Sequence, residues 1–385
     1  MADRLFDALI IGAGSVGVPA AWAMARSGLH VLVLDRLASP GQGSNKAAIG
    51  GIRATHSEPA KIRICLRSLE IASTWEHTYG DDIDWRTGGY SFVAYDRAIE
   101  ATLKGLMAVQ QESGLDISWL DSEALGAQIP SLNPDGLLGG TLSPGDGQCS
   151  PLLLGHAMYM QARKAGAEFR FREPVVDILA KDSRVVGVKT ANATYEAPIV
   201  INAAGAWASE IGKLLDVEHP VLPDSHEAGI TEPVDRFLDP MIVDIEPGHG
   251  SANCYFFQLA TGQVVFALTP NPLIPGTDCR ETSEFLPVMA ERMIRLVPRL
   301  AGLRVRRTWR GLYPMSPDGA PLVGWSRAFE GYLVAAGMCG HGFMLGPGLG
   351  ELLDRLVRDD LQIGDEEALE ALSPYRPFKG SAALK

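Results

Sequence analysis

The sequence predicts a mixed α/β (α+β) protein in which a mostly antiparallel β-sheet domain is inserted into a domain built on a parallel sheet. The chain opens with an apolar strand, a glycine-rich turn, a helix and a second apolar strand, which is the order of a parallel βαβ unit. Between about residues 215 and 305 the pattern becomes β-rich and punctuated by prolines, as in antiparallel sheets. At 385 residues, the chain is long enough for two such domains.

The segment from Asp7 to Arg36 has the features of a dinucleotide-binding unit. In Gly12-x-Gly14-x-x-Gly17, the first glycine permits a tight turn, the second allows a pyrophosphate to approach the backbone, and the third lets the helix lie close to the sheet. The positive helix N-terminus favours phosphates, and Asp35 at the end of the second strand can accept both hydroxyls of a ribose. A glycine turn that binds nothing would not need Asp35, so dinucleotide binding is the favoured interpretation.

Net charge, cysteine pattern and hydropathy argue against several classes of protein. The formal net charge of −12 argues against binding to nucleic acid or anionic membranes, and the densest basic run, residues 304–310, is predicted to be the outer face of a strand. Five scattered cysteines indicate neither a zinc site nor a disulfide framework. No apolar run has the length of a membrane span, and no signal peptide is expected before the first strand. We therefore expect a cytoplasmic protein.

Periodicity and turn residues predict the remaining elements. Residues 38–57 form a glycine- and serine-rich loop that should wrap a ligand. A loop over 338–348 is expected to precede the closing helix. Helices are predicted at 59–79, 97–112, 284–296 and 349–359, with another ending at Gly166, and strands are predicted within 84–96, 255–259, 263–268 and 332–337.

Four motifs then indicate a family: the opening fingerprint, IVINAAGAWA (199–208), RTWRGLYPMSPDGAPLVG (307–324) and AAGMCGHGFMLGPGLGELLDRL (335–356). In this order, over nearly the full length, they resemble the FAD-dependent D-amino-acid oxidase and sarcosine oxidase superfamily. GGIR (50–53) and SPYR (373–376) are most similar to the flavin subunits of L-proline dehydrogenase and of the multi-subunit sarcosine oxidases. The resemblance implies a Rossmann-like FAD-binding domain with an inserted, mostly antiparallel substrate domain.

The resemblance also implies where FAD lies. The opening glycines hold the pyrophosphate, Asp35 holds the ribose, and Arg36 and the backbone of Val175 lie beside the adenine. Residues 44–46 and 51–52 border the flavin ring, residues 203–205 and 207 follow the ribityl and phosphate stretch, and residues 340–344 lie beside the isoalloxazine. The implied cofactor-binding residues are Gly12, Gly14, Val16, Gly17, Asp35, Arg36, Ser44, Asn45, Lys46, Gly51, Ile52, Val175, Ala203, Ala204, Gly205, Trp207, Gly311, Gly340, His341, Gly342, Phe343 and Met344.

Sequence differences from the relatives bear on how FAD is attached and on whether the enzyme reacts with oxygen. Some relatives attach the flavin covalently through a cysteine at the position of Gly311, or through a histidine in the early loop that here contains Lys46 and Ala47. We therefore expect non-covalent FAD. Simple sarcosine oxidases carry a lysine near flavin N5 that speeds reaction with oxygen, and the corresponding strand here, residues 262–268, has none. This favours a dehydrogenase over an oxidase.

Arg53 is the first candidate for substrate binding. Its counterpart in the family clamps the substrate carboxylate, and a planar guanidinium can do so through two hydrogen bonds. The alternative is an ion pair with a nearby acid such as Glu58. Relatives often add a lysine at the position of Met344, so a two-point clamp is in doubt here.

Three further residues are candidates for the active site. His341 could orient the substrate or polarise the flavin, or could instead hold its loop by a structural hydrogen bond. Tyr255 could line the pocket from the inserted domain, although a tyrosine on a strand also serves packing. His56 is considered because it is close to Arg53 in sequence.

The sequence therefore predicts an FAD-dependent enzyme that oxidises the C–N bond of a carboxylate-bearing secondary amine or amino acid, proline- or sarcosine-like, by hydride transfer to flavin N5. The alternatives are an oxygen-using amine oxidase that releases hydrogen peroxide, a flavin subunit active only with a partner subunit, and an NAD-dependent dehydrogenase. Residues 1–85, 145–215 and 306–370 are expected to form the FAD-binding domain, 86–144 and 216–305 the substrate domain, and 371–385 a C-terminal tail.

Overall fold

A computed structural model describes residues 6–378, 380 and 384. Its strands are β1 (Ala8–Ile11), β2 (Val31–Asp35), β3 (Gly51–Ile52), β4 (Tyr90–Ala94), β5 (Ser118–Asp121), β6 (Gly139–Ser143), β7 (Gly147–Gln148), β8 (Glu168–Phe171), β9 (Val175–Lys181), β10 (Arg184–Thr190), β11 (Thr194–Glu196), β12 (Val200–Asn202), β13 (Leu222–Thr231), β14 (Met241–Asp244), β15 (Ser251–Gln258), β16 (Val264–Pro270), β17 (Val305–Met315), β18 (Leu322–Trp325) and β19 (Tyr332–Ala336). Its α-helices are α1 (Gly17–Arg26), α2 (Pro59–Tyr79), α3 (Arg97–Glu112), α4 (Ser122–Gln128), α5 (Pro151–Lys164), α6 (Ala208–Gly212), α7 (Phe285–Leu296), α8 (Gly342–Val357) and α9 (Asp365–Ala371).

The smaller of the two large sheets has six strands, in the order β18-β19-β12-β1-β2-β8. Its pairs are parallel except β18 with β19. Strands β1 and β2 are buried on both faces, which explains why they appear in the sequence as continuous apolar runs. Helix α1 leaves β1 directly and packs against α5 and α8. The carboxyl ends of β1, β2 and β12 therefore lie at one edge, beside the N-terminus of α1.

The larger sheet has eight strands, in the order β17-β13-β16-β15-β14-β4-β6-β5. Its pairs are antiparallel except β14 with β4, as expected of the inserted sheet. Two small sheets, β11-β10-β9 and β3-β7, complete the described strands. Strand β17 is an outer strand, and the basic run at its start is largely exposed, which confirms its interpretation as an outer strand face. The division of the chain into domains stays a prediction.

The observed helices can be compared with those that hydrophobic periodicity predicted. Residues 59–79 and 97–112 are helical as predicted, and α7 begins one residue later than expected. The short helices α4, α6 and α9 were not predicted. In the described part of the chain, no helix combines the length and apolar character needed to cross a bilayer, and no cluster of histidine, cysteine and carboxylate side chains is placed to hold a metal ion.

The expected loop over 338–348 is wrong in its second half, because α8 already begins at Gly342 and continues through Pro347. Close packing against α1 explains this. A Cβ atom added to Gly346 would lie 1.9 Å from the carbonyl oxygen of Ser15, and one added to Gly350 would lie 2.6 Å from Pro19. These glycines let the two helices touch, and this contact offsets the backbone hydrogen bond that Pro347 cannot donate.

Candidate active site

One cavity is lined by residues of both large sheets, of the opening glycine turn and of the first turn of α8. Arg53 and Tyr255 line it. Most of the predicted cofactor residues line it as well: Gly12, Gly14, Val16, Asp35, Arg36, Ser44, Asn45, Gly51, Val175, Ala203, Ala204, Gly205, Trp207, Gly311, Gly340, His341, Gly342, Phe343 and Met344. The fold thus brings together residues more than three hundred positions apart in the chain.

Three of the predicted cofactor residues do not line the cavity. Gly17 lies behind the glycine turn, where an added Cβ atom would be 1.8 Å from the carbonyl oxygen of Gly12. Lys46 belongs to a short 3₁₀ helix and is exposed, outside the lining. Ile52 is fully buried in the hydrophobic core. We therefore expect no direct contact between these three residues and the cofactor.

The opening turn is shaped for close approach of a ligand. Gly12 has a φ of +108°, and an added Cβ atom would lie 2.5 Å from the carbonyl oxygen of Ala203. At Gly14, an added Cβ atom would meet no protein atom within 4 Å, so this backbone faces open space. Asp35 accepts hydrogen bonds from the amides of Ala13 and Leu37, both at 2.7 Å, and each carboxylate oxygen keeps capacity for a hydroxyl donor.

A guanidinium and an indole face each other at this end of the cavity. The Arg36 guanidinium lies 3.9 Å from the ring centroid of Trp207, which is within the range of cation–π interactions. Both side chains line the cavity, together with Val175. A flat aromatic base is the kind of group that such a wall accommodates.

Another part of the cavity wall is formed by the glycine loop before α8. Gly340 has a φ of +85°, and an added Cβ atom would lie 2.2 Å from the ring of Tyr313. A Cβ atom on Gly342 would lie 3.0 Å from the Ser15 hydroxyl, so the N-termini of α1 and α8 are neighbours. Both helices direct free backbone N–H groups towards the cavity. These two cradles, with Asp35 beside one of them, fit an extended dinucleotide.

Gly311 and Ala47 are in direct contact at the position where some relatives attach their flavin. A Cβ atom on Gly311 would lie 2.4 Å from the Ala47 Cβ atom. The Trp309 indole also donates to the Ala47 carbonyl at 2.9 Å. These residues leave little room for a side chain that could carry the flavin, and non-covalent FAD stays a prediction.

Arg53 is a buried cation without a carboxylate partner. It is 6% exposed, and within the described ranges no acid lies at ion-pair distance from its guanidinium. It donates to the Thr55 carbonyl, and its nitrogens lie 3.2 Å from His56 Nδ1 and 3.5 Å from His341 Nε2. The alternative partner, Glu58, is bound to Lys61 at 2.6 Å instead. The pairing of Arg53 with Glu58 is therefore wrong.

The two histidines beside Arg53 are uncharged. Burial, together with the charges of Arg53 and Lys61, lowers the pKa of His56 and of His341 well below the usual range. Their rings meet edge to face with centroids 5.0 Å apart. His341 precedes α8 and lines the cavity, whereas His56 lies behind Arg53, with its Nε2 3.5 Å from the Cys65 sulfur. Neutral rings can accept hydrogen bonds from the guanidinium without cancelling its charge.

Asp146 supports the loop that carries Arg53. It is fully buried and accepts hydrogen bonds from the amide of Ala54 at 2.8 Å and from the hydroxyl of Thr55 at 2.7 Å. Burial raises the pKa of its carboxyl to about 6, although these hydrogen bonds and Arg53 oppose the rise. Asp146 thus holds residues 53–55 in place from behind.

Tyr255 lies in the cavity next to a residue that the sequence analysis did not assign to the site. Its hydroxyl is 2.6 Å from that of Tyr313, and burial raises the pKa of both phenols. His226 lines the cavity as well and stacks on Tyr313. Tyr313 stands in the motif 307–324, which could have drawn attention to it. His226 is part of a β strand without any motif, so only the strand pairing reveals it.

A comparison with protein families matches residues 7–356 to DAO, described as FAD dependent oxidoreductase. The chain belongs to this family. The match confirms the resemblance found in the sequence, an FAD-dependent oxidoreductase activity, and FAD as the cofactor that the cavity fits. Solved structures of the same fold confirm the mixed α/β class.

Individual members of the DAO family match over nearly the whole chain. The hydrogen cyanide synthase subunit HcnC of Pseudomonas aeruginosa is 27% identical, over 93% of this chain and 94% of that protein. The crystal structure of L-proline dehydrogenase from P. horikoshii has 29% identity and a TM-score of 0.90, covering 97% of this chain and 98% of that one. Glycine oxidase from Geobacillus kaustophilus has 25% identity and a TM-score of 0.86, covering 98% and 100%.

Proposed function

We propose that this DAO-family chain oxidises the C–N bond of a proline- or sarcosine-like amino acid, a small secondary amine that carries a carboxylate, and releases the imine. When bound, FAD supplies the acceptor for the hydride that leaves the carbon beside nitrogen. The chain itself binds the substrate, orients it and keeps water away from it.

The observation that carries this proposal is the unpaired charge of Arg53. A buried guanidinium without an acid is unfavourable, and a carboxylate entering the cavity would satisfy it with two charge-assisted hydrogen bonds. No carboxylate pairs directly with it among the described residues, since Glu58 is bound to Lys61 and Asp146, which acts on Arg53 only through space, is hydrogen-bonded to Ala54 and Thr55. The neighbouring His56 and His341 are neutral. An amine without a carboxylate would leave this cation uncompensated.

The strands next to Arg53 suit a compact, apolar substrate body. The guanidinium lies 5.3 Å from the ring centroid of Phe92 on β4. Val243 on β14 is in register with Phe92, and Met241 and Val243 line the cavity with Ala267. A ring or an N-methyl group is more easily buried here than a second polar side chain. This supports proline- or sarcosine-like substrates over amino acids with charged side chains.

We further propose a dehydrogenase rather than an oxidase, because no lysine lines the cavity among the residues that the structure describes. The second candidate is a partner-dependent flavin subunit, since one relative is itself named as the subunit of a synthase. A cytoplasmic location, expected from the scattered cysteines, is a proposal of the same kind.

A substrate panel tests the proposed function. The purified, FAD-loaded chain is mixed without oxygen with L-proline, hydroxyproline, sarcosine, N,N-dimethylglycine, glycine and D-amino acids, and bleaching of the flavin absorption is followed. We expect bleaching by secondary amino acids and none by pyrrolidine, which matches proline but lacks the carboxylate. Equal bleaching by pyrrolidine would contradict the role of Arg53. Readmitting air separates an oxidase, which releases hydrogen peroxide, from a dehydrogenase, and inactivity of the lone chain favours the subunit.

A further inference from the structure

Strand β13 carries a buried aspartate–histidine pair that the proposed function does not yet use. His226 Nε2 lies 2.7 Å from Asp224 Oδ2, and the two residues are 5% and 2% exposed. They are two positions apart on one strand, so both side chains point to the same face. The other oxygen of Asp224 accepts the amide of Ile274 at 2.6 Å. The carboxylate is therefore held on both sides.

This pair belongs to the same cavity wall as the two tyrosines. His226 and Asp224 are paired with Gly311 and Tyr313 of β17. The His226 ring stacks on Tyr313 with centroids 3.7 Å apart and an angle of 17°. His226, Tyr313 and Tyr255 all line the cavity. The ring is thus placed in the part of the cavity nearest the glycine loop at Gly340, which packs on Tyr313.

The hydrogen bond to Asp224 decides which nitrogen of His226 carries the proton. A carboxylate accepts, so Nε2 bears the hydrogen and Nδ1 keeps its lone pair. Nδ1 is buried, and no residue in the described part of the chain is hydrogen-bonded to it. Burial lowers the pKa of His226, so the ring is neutral at neutral pH. A buried acceptor without a donor is unfavourable, and a donor on a bound ligand would satisfy it.

We propose that Nδ1 of His226 accepts a proton from the substrate nitrogen. This inference rests on the proposed function, because it needs an amine in the cavity. An amino acid enters as an ammonium, whose nitrogen has no lone pair for the C=N bond. Transfer to His226 breaks one N–H bond, leaves its electron pair on nitrogen and forms Nδ1–H. The resulting imidazolium is stabilised by Asp224, and the neutral amine can then give up its hydride to the cofactor.

The charges around His226 are consistent with this role. Asp224 is the carboxylate in contact with the ring, and it favours the imidazolium. Arg310 opposes it from β17, and the two tyrosines are neutral because burial raises their pKa. The titratable and charged groups that face the pair are Asp224 on β13, Tyr313 and Arg310 on β17, Tyr255 on β15, and the ion-paired Asp278 and Arg280 in the loop that contacts Ser225.

The kinetic test compares the pH dependence of flavin bleaching in the wild type and in His226→Gln, with sarcosine or L-proline. We expect kcat/KM of the wild type to be flat between about pH 7 and 9. In the variant the reaction depends on the free amine in solution, so kcat/KM should fall about 100-fold at pH 7 and rise about tenfold per pH unit. Asp224→Asn should shift the profile in the same direction. Ser225→Ala, which removes a hydroxyl from the other face of β13, should leave the profile unchanged.

A second measurement does not depend on activity. Histidine-selective ¹⁵N NMR, with the His226→Gln variant used for assignment, should show the Nε2–H tautomer of His226 at pH 7. An Nδ1–H tautomer, or a variant whose pH profile runs parallel to that of the wild type, would overturn the inference and leave the proposed function standing. Failure of every amine in the panel to bleach the wild type would overturn both. FAD content and binding of pyrrole-2-carboxylate establish that each variant keeps its cavity.

Discussion

The guanidinium of Arg53 lies 3.5 Å from Nε2 of His341, which joins the loop after β3 to the first turn of α8. These residues are 288 positions apart in the chain. The contact places the only buried cation that lines this end of the described cavity beside the helix terminus expected to face the flavin. If Arg53 binds the substrate carboxylate as proposed, we expect this contact to couple substrate binding to cofactor binding.

Replacing Arg53 tests the carboxylate clamp directly. We expect Arg53→Ala to raise KM for sarcosine or L-proline about 100-fold, because hydrogen bonds to a charged group contribute about 1.5–3 kcal/mol. Arg53→Lys should recover part of the loss, since it keeps the charge but not the planar fork. Steady-state kinetics with an artificial electron acceptor gives the KM, and flavin absorbance gives the FAD content, which should stay normal. Arg97→Ala, on the exposed start of α3, is the control and should leave KM unchanged. An unchanged KM in Arg53→Ala would contradict the proposed binding of the substrate carboxylate by Arg53.

Glu58 provides the complementary variant, because its partner is Lys61 and not Arg53. The Lys61 side chain is fully buried, whereas Glu58 is 31% exposed. Glu58→Gln leaves a buried ammonium without its acid, and we expect the free energy of unfolding to fall by about 2 kcal/mol, less than for a fully buried pair. KM should change by less than about twofold. Urea unfolding gives the free energy of unfolding and steady-state kinetics on the same preparation gives KM. A large rise in KM with unchanged stability would show that Glu58 belongs to the substrate site.

The sequence could predict the cofactor end of the site far better than the substrate end. Gly12, Gly14 and Asp35 lie within one continuous βαβ unit, so their spacing alone specifies their arrangement. His226 and Asp146 offer no such local signal. His226 becomes part of the site only because β13 pairs with β17 in a register that sets it opposite Gly311. Asp146 does so through a hydrogen bond to Ala54, 92 residues away.

Helix α8 shows a different limit. The run Gly346-Pro347-Gly348 is typical of a loop, and local propensity predicted one. Tertiary packing overrides that preference, since the same glycines permit contact with α1 and α2: an added Cβ atom on Gly348 would lie 2.3 Å from the carbonyl oxygen of Ile64. Such an effect can be recognised only once the neighbouring helices are known.

Asp146 should make stability depend on pH in an unusual direction. Its pKa is raised to about 6 in the folded chain from the ordinary 3.8, so the folded state favours the protonated carboxyl. The associated stability is complete below pH 3.8 and is lost as the pH rises through 6. Asp146→Asn does not titrate, so its stability relative to the wild type should increase by about 2 kcal/mol between pH 4.5 and 7.5. Urea unfolding of both proteins at the two pH values gives the difference between their free energies of unfolding. A difference that does not change with pH would contradict the raised pKa of Asp146.

Gly14→Ala separates the cofactor site from the fold. An added Cβ atom at this position meets no protein atom within 4 Å, so we expect the variant to fold with normal stability. It would nevertheless occupy the space through which a pyrophosphate approaches the backbone, and the Kd for FAD should rise at least about tenfold.

Gly12→Ala differs, since its Cβ atom would strike the Ala203 carbonyl and a φ of +108° disfavours alanine, so it should lose stability as well. Fluorescence titration of the apoprotein with FAD, beside circular dichroism, distinguishes the two. Gly105→Ala on α3 is the matched control because its Cβ atom also meets open space. Normal FAD affinity in Gly14→Ala would mean that the pyrophosphate does not pass over this turn. It would contradict the assignment of pyrophosphate binding to the glycine fingerprint.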